Sequence, residues 1–312
     1  MAAHRLWLEL LLELIVYGSA VSLLHESVAL HWIAWLALLI AFMFLTRVVI
    51  VVATFIFAMR VQPDAPPLSA AAWFRLILLE SVGLARVQWL IMIDSLGLRP
   101  KQSPTRSERD IPLIILLHGI YCAGAIWNPI ARALSKKLSC EIVAPSLTPT
   151  SSGLSAQAQC FGNWLEQHLA GRTQRRIIVI AHSMGGLVMR QYFAHAPSPV
   201  RIDTLICVST PFRGSRIAEF LRTPIGRDLR PNSPAIQQLQ TTHWPTSTRI
   251  TVIASAHDNL VIPADSAHLP NASHIDINRF GHLSLLYSRE LLDVLLKLLH
   301  VHPQSESSHS AH

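Results

Sequence analysis

One serine in this chain sits where a nucleophile would. Ala181-His182-Ser183-Met184-Gly185-Gly186 follows the apolar run Ile177-Ile178-Val179-Ile180, and hydrophobic residues then resume at helical spacing. A β-rich run that breaks at a serine and continues as a helix is a strand–turn–helix elbow, which presents the hydroxyl at the edge of a sheet. In so tight a turn the chain segments on either side of the serine nearly touch. Small residues are needed two before it and two after it, and Ala181 and Gly185 fill those positions. A serine hydroxyl is a weak nucleophile. It requires a base, an acid that orients the base, and N–H donors for the oxyanion that develops.

Each requirement has a candidate. Asp258 lies in Ala256-His257-Asp258-Asn259-Leu260-Val261-Ile262-Pro263, just past an apolar run, and His282 lies in Phe280-Gly281-His282-Leu283-Ser284, ahead of a long apolar helix. The chain has 16 histidines, so position rather than residue type favours His282. His257, His268 and His274 compete with it, and Asp265 competes with Asp258. The oxyanion donors are the N–H of Ile120, turned back by Gly119, and the N–H of Met184 at the start of the helix after Ser183, whose dipole favours negative charge. His118, at the end of an apolar run, suits a loop-shaping role. This set predicts acyl transfer through Ser183, with no metal and no cofactor. Cys122, Cys140, Cys160 and Cys207 lie far apart without metal-like spacing, and Cys140 and Cys207 read as buried apolar side chains.

The elements between these residues must bring them together. From residue 111 onward short apolar runs alternate with helical stretches. Strands are predicted over 112–117, 141–144, 177–181, 204–209, 249–255 and 274–277, and helices over 127–138, 156–170, 186–194 and 283–300. Such alternation implies an α/β fold with a mainly parallel sheet of about six strands and its site at their carboxyl ends. Residues 210–248 interrupt the alternation as a lid would. Their arginines (Arg213, Arg216, Arg222, Arg227 and Arg230) read either as solvated charges or as a grip on anionic headgroups.

The first hundred residues are of another kind. Residues 6–24 form an apolar stretch interrupted by Glu9 and Glu13, and residues 28–59 form a longer one interrupted by His31, Thr46 and Arg47. Each run can cross a hydrocarbon core of about 30 Å. The first does not resemble a secretory signal, because it lacks a small-x-small cleavage site leading into a polar region and a second apolar run follows almost at once. The expectation is a membrane-embedded hairpin over 1–60, turning near His25-Glu26-Ser27. Arg5, Glu9 and Glu13 share a helix face, and Arg47 returns to their depth, so Arg47 should face Glu9 or Glu13. The turn lacks Lys and Arg while basic residues flank the hairpin, which predicts a cytoplasmic catalytic domain. Residues 61–110 read as a connector: stiff Gln62-Pro63-Asp64-Ala65-Pro66-Pro67, then an amphipathic interfacial helix over 70–93 with Arg75 and Arg86 on one side, then a polar linker over 99–110. A catalytic domain over 111–301 and a disordered Ser/His-rich tail over 302–312 complete the chain. The formal charge is +7 over 312 residues, yet no basic patch interleaved with aromatics appears, so a nucleic-acid partner is not expected.

His118-Gly119-Ile120, Ala181-His182-Ser183-Met184-Gly185-Gly186, Asp258 with Val261 and Pro263, and Gly281-His282 resemble the α/β-hydrolase superfamily. The resemblance is to bacterial triacylglycerol lipases and esterases with an Ala-His-Ser-Met-Gly elbow. Ser209-Thr210-Pro211-Phe212-Arg213-Gly214-Ser215 is similar to the stretch those lipases carry before the lid, with Phe212 in place of a histidine. The likeness covers about residues 111–300 and not the N-terminal hundred. It implies a reduced sheet lacking the superfamily's first two strands, and a Ser183–Asp258–His282 triad cleaving carboxylic esters. With the hairpin, the natural substrate is a lipid ester at the bilayer. An anchored acyltransferase and a non-catalytic membrane scaffold are the alternatives.

Overall fold

The computed structural model describes residues 2–25, 32–96, 111–170, 176–196 and 198–300. Three long helices come first: α1 (Ala2–His25), α2 (Trp32–Val61) and α3 (Ala70–Ser95). Then follow β1 (Leu113–Leu117), α4 (Asn128–Ser135), β2 (Glu141–Val143), α5 (Leu154–Leu169), β3 (Ile177–His182), α6 (Met184–His195) and β4 (Thr204–Val208). After the insertion, which carries α7 (Pro224–Asp228) and α8 (Pro234–Thr241), come β5 (Arg249–Ala254), β6 (Ser273–Asp276), α9 (His282–Leu286) and α10 (Arg289–His300).

The six strands form one sheet in the order β2-β1-β3-β4-β5-β6, every pair parallel. Because successive side chains alternate between faces, Leu113, Ile115 and Leu117 of β1 enter one core, and Ile114 and Leu116 enter the other. Both faces are covered, which is why β1, β3 and β4 are buried throughout. The chain leaves β1 toward the edge strand β2 and returns to β3 on the other side. The carboxyl ends of β1 and β3 therefore flank a topological switch point, where a crevice opens.

The predicted closing helix over 283–300 is instead two. It breaks at Tyr287 and Ser288, and the Ser288 hydroxyl accepts the N–H of Leu291 to start α10. Within the insertion, Ile225, Leu229, Ile236 and Leu239 are buried in the core above the sheet. Four of its five arginines have local partners through their side chains. Arg213 pairs with Asp265 at 2.8 Å, Arg216 with Glu219 at 3.3 Å, Arg227 donates to the Arg222 carbonyl, and Arg230 donates to the carbonyls of Ala218, Glu219 and Leu221.

The N-terminal helices bundle together and dock on the sheet domain. Trp7 Nε1 donates to Ser95 Oγ at 2.9 Å, Tyr17 stacks on Phe42, and Val51, Phe55 and Leu76 form a small core between α2 and α3. Arg47 is buried, and its guanidinium donates to Glu13 Oε2 at 2.5 Å and to Gln88 Oε1 at 2.9 Å. Among the described residues, Ile33–Val61 and Ala70–Ser95 are long and apolar enough to cross a membrane, while α1 contributes the shorter apolar stretch Leu11–Ser22. The turn around Glu26, the linker 99–110, the tail 302–312 and the side chains of Arg5 and Glu9 lie outside the described residues.

Helix α3 differs from the expected arrangement in one respect. The side that carries Arg75 and Arg86 in the expected interfacial helix faces the sheet domain: Arg75 lies over the Phe280 ring, Arg86 lies 4.5 Å from the centre of the Tyr287 ring, and Glu80 is buried. Gly83 permits the approach, since a Cβ there would sit 3.2 Å from Leu283 Cβ and from the Ser284 amide. The side turned away from the domain is apolar. Phe74, Leu78, Val82 and Trp89 are exposed along it.

Candidate active site

The elbow is strained as a nucleophile site should be. Ser183 has φ 57° and ψ −126°, a left-handed conformation unfavourable for a residue with a side chain. Its N–H donates to the Val208 carbonyl at 2.8 Å. Crowding at the elbow is as the sequence requires: Ala181 is fully buried, and a Cβ on Gly185 would lie 3.0 Å from the Leu117 carbonyl oxygen and 3.1 Å from that of His118.

Beside Ser183, at the end of β1, a Cβ on Gly119 would come within 3.0 Å of Ser183 Cβ and 3.4 Å of its Oγ. Glycine keeps this approach to the hydroxyl open. Ile120 lines the same cavity as Ser183, and among the described residues no backbone carbonyl accepts its N–H. Met184 opens α6, so its N–H belongs to the first turn and has no intrahelical acceptor. His118 shapes the turn. Its Nε2 accepts the Leu147 N–H at 2.9 Å, which leaves Nδ1 as the donor to the Gly119 carbonyl at 2.8 Å. Burial pushes its pKa down to about 4, so it is held neutral.

Asp258 and His282 meet across the ends of β5 and β6. His282 Nδ1 lies 2.9 Å from Asp258 Oδ2 and 3.1 Å from Oδ1, and both residues are buried. Asp258 Oδ1 also accepts the N–H groups of Leu260 and Val261, each at 2.8 Å. Burial alone would raise the Asp258 carboxyl, but the charge and hydrogen bond of His282 and the two amides outweigh it and hold the carboxyl low. For His282 burial would favour the neutral ring, yet the Asp258 charge and hydrogen bond, with the charge of Glu80, raise its pKa.

The backbone around His282 is held as firmly as its ring. Its N–H donates to Asn259 Oδ1 at 3.0 Å, and Asn259 Nδ2 donates to Thr54 Oγ1 of α2 at 2.8 Å. Its carbonyl accepts from His182 Nε2 at 3.2 Å. Burial first, and then the neighbouring His282, pull the His182 pKa down to about 3, so it stays neutral. The next two amides, of Leu283 and Ser284, donate to the Glu80 carboxylate at 2.8–3.2 Å.

Ser183 and His282 line one cavity of about 490 Å³, with Gly119, Ile120 and Tyr121 on one side and Leu84, Val87, Gln88 and Ile91 of α3 on another. Cys122 also lines it, and burial raises its thiol to about 12, which keeps it protonated. The competing residues lie elsewhere. Asp265 is paired with Arg213, His257 Nε2 bonds the Pro66 carbonyl at 3.0 Å, and His268 stacks on His274 beside a different cavity. Sequence reasoning did not find Glu80, Asn259, Thr54 or the cavity wall from α3. Glu80 is a charge in an apolar helix, and its partners are more than two hundred residues away. A serine, an imidazole and a buried carboxylate so disposed, with two amides near the serine, can move a proton off a hydroxyl and stabilise an oxyanion.

The comparisons with known proteins concern the fold. A family model described as "Alpha/beta hydrolase family" matches residues 114–258, from β1 through Asp258. No curated protein matches the chain in sequence. The mature Bacillus licheniformis lipase BlEst2 superposes with a TM-score of 0.53 at 17% identity, covering 64% of this chain and 96% of the lipase. A Listeria innocua gene product gives 0.50 at 15% identity over 63% of this chain and 96% of its own. Aspergillus fumigatus lipase B gives 0.51 at 15% identity over 61% of this chain and 52% of its own. These likenesses cover about the length of the sheet domain, and with the parallel sheet order they show that this domain has the α/β-hydrolase fold.

Proposed function

We propose that this protein is a membrane-associated serine hydrolase that cleaves carboxylic esters of lipids. The observation that carries the reading is the meeting of Ser183, on its strained elbow, with the His282–Asp258 pair in one cavity walled by the apolar side chains Leu84, Val87 and Ile91. The Ser183 hydroxyl attacks the ester carbonyl while His282 Nε2 takes its proton. Asp258 holds the Nδ1–H and stabilises the imidazolium. The N–H groups of Ile120 and Met184 receive the oxyanion, and the imidazolium then protonates the departing alcohol. A water deprotonated by His282 attacks the acyl-enzyme and releases the carboxylic acid.

Membrane association rests on the first three helices. Between Arg75 and Ile91 one side of α3 runs along the sheet domain for about 24 Å at 1.5 Å per residue. A helix so covered lies beside the domain rather than crossing a bilayer away from it, and its exposed apolar side is turned to lipid. Helix α2 runs beside α3 as far back as Arg47, and its apolar residues Ile33, Leu36, Ile40, Leu45 and Val49 are exposed, with α1 alongside. The Arg47–Glu13 pair neutralises the charge buried between them. The basic residues flanking the hairpin are what supports a cytoplasmic catalytic domain. Hydrolysis of a phospholipid, a glyceride and a soluble short-chain ester by the purified full chain tests the substrate class. Higher kcat/KM on micellar lipid is expected, and better activity on the soluble ester overturns the lipid assignment.

A further inference from the structure

We propose that Glu80, from the appended helix α3, is a positioning residue for His282, which makes α3 part of the catalytic machinery rather than only an anchor. This rests on the ester-hydrolase reading above. His282 opens α9, a helix of five residues, so the first N–H groups of α9 have no intrahelical acceptor. The hydroxyls and carboxylates that usually serve come from the residue just before a helix. Here that residue is Gly281, which has no side chain to offer.

Glu80 supplies the acceptor from two hundred residues away. Its Oε1 takes the Leu283 N–H at 2.9 Å and its Oε2 takes the Ser284 N–H at 2.8 Å. The glycine is what admits it: a Cβ at position 281 would fall 2.5 Å from Glu80 Oε2 and 2.8 Å from Asn259 Oδ1. Asn259, braced by Thr54 of α2, holds the His282 N–H itself. Two N-terminal helices thus grip three consecutive amides of the turn that carries the base. A buried carboxylate is costly unless its lone pairs are filled, and here the backbone fills them.

Two effects on His282 follow. The grip fixes the ring's approach to Ser183. Burial raises the Glu80 pKa, the Leu283 and Ser284 amides and the charge of His282 oppose that rise, and in its ionised form Glu80 favours the imidazolium that forms as the hydroxyl loses its proton. Asp258 faces the same ring as a second anion, His182 faces it as a neutral imidazole, and Arg75 and Arg86 sit over Phe280 and Tyr287 on either side of the turn.

The test compares Glu80→Gln and Glu80→Asp with wild type as detergent-solubilised full chains, using a chromogenic ester. Wild-type activity that depends on Ser183 checks the underlying reading, and the variant-to-wild-type ratio checks this one. For E80Q, kcat is expected to fall about 10–100-fold with KM little changed, as for a misplaced catalytic group. Its acid limb of kcat/KM is expected to move to lower pH, because one anion beside His282 is gone. E80D keeps the charge at a shorter reach, so it should lose kcat while holding the acid limb in place. Wild-type kcat in E80D overturns the proposal, and that variant alone decides should E80Q fail to fold. An E80Q enzyme whose loss equals its unfolded fraction, with the acid limb unmoved, also overturns it.

Discussion

Asp258 Oδ2 lies 2.9 Å from Nδ1 of His282, and the same carboxylate accepts two backbone amides through Oδ1. The acid is thereby fixed before the base is, and its charge is aimed at one ring nitrogen. That geometry fixes the tautomer with hydrogen on Nδ1 and leaves Nε2 free to take a proton.

Asp258→Asn removes this preference, since the amide can offer its N–H₂ to Nδ1 and leave the hydrogen on Nε2. We expect kcat to fall by about 10⁴-fold while the protein stays folded. Ester hydrolysis followed at several pH values checks this, and a loss below about tenfold would speak against Asp258 as the orienting acid.

The elbow gives a stability prediction. Gly185→Val brings a branched side chain against the Leu117 and His118 carbonyls, which leave only 3.0 and 3.1 Å even for a Cβ. A loss of about 1–3 kcal/mol is expected from overpacking, read from urea unfolding of the full chain in detergent. Unchanged stability would mean the turn is looser than described.

His118 predicts a dependence of stability on pH. Its pKa is about 4 in the folded protein against an ordinary 6.5, so below pH 6.5 the unfolded chain binds the proton first. Its contribution is fully present above pH 6.5 and is lost as pH falls toward 4, by about 2 kcal/mol near pH 5. His118→Asn should show a smaller stability drop between neutral pH and about pH 5 than wild type, by that amount. Equal drops would show that His118 is not held neutral.

The cavity wall offers a test of chain-length selectivity. Val87 of α3 lines the cavity with Ser183, and Val87→Trp fills part of its roughly 490 Å³. Activity on long-chain esters should fall relative to short-chain esters, measured as a kcat/KM ratio across a p-nitrophenyl ester series. A constant ratio would exclude this wall from acyl binding.

Much of the sheet domain was legible because its signals are local. The runs around β1, β3 and β4 are apolar, bounded and spaced by helices, and Ala181 and Gly185 mark the elbow by size alone. Asp258 and His282 could be chosen because chain order and loop position restrict them. The division of the closing helix at Ser288 escaped notice because a single hydroxyl makes it, within an otherwise unbroken apolar pattern. The docking of α3 was hidden for a different reason. Arg75, Glu80 and Arg86 look alike whether they meet water or a protein surface, and only the folded domain supplies Phe280, Tyr287 and the Leu283 and Ser284 amides as partners.

The central claim is that Ser183 becomes acylated by an ester. Labelling of the full-length protein with a fluorophosphonate probe, beside ester hydrolysis by wild type and Ser183→Ala, tests it most directly. The account predicts one label per chain on Ser183 in wild type, none in S183A, and a drop in hydrolysis of several orders of magnitude. Hydrolysis by S183A at the wild-type rate would contradict it.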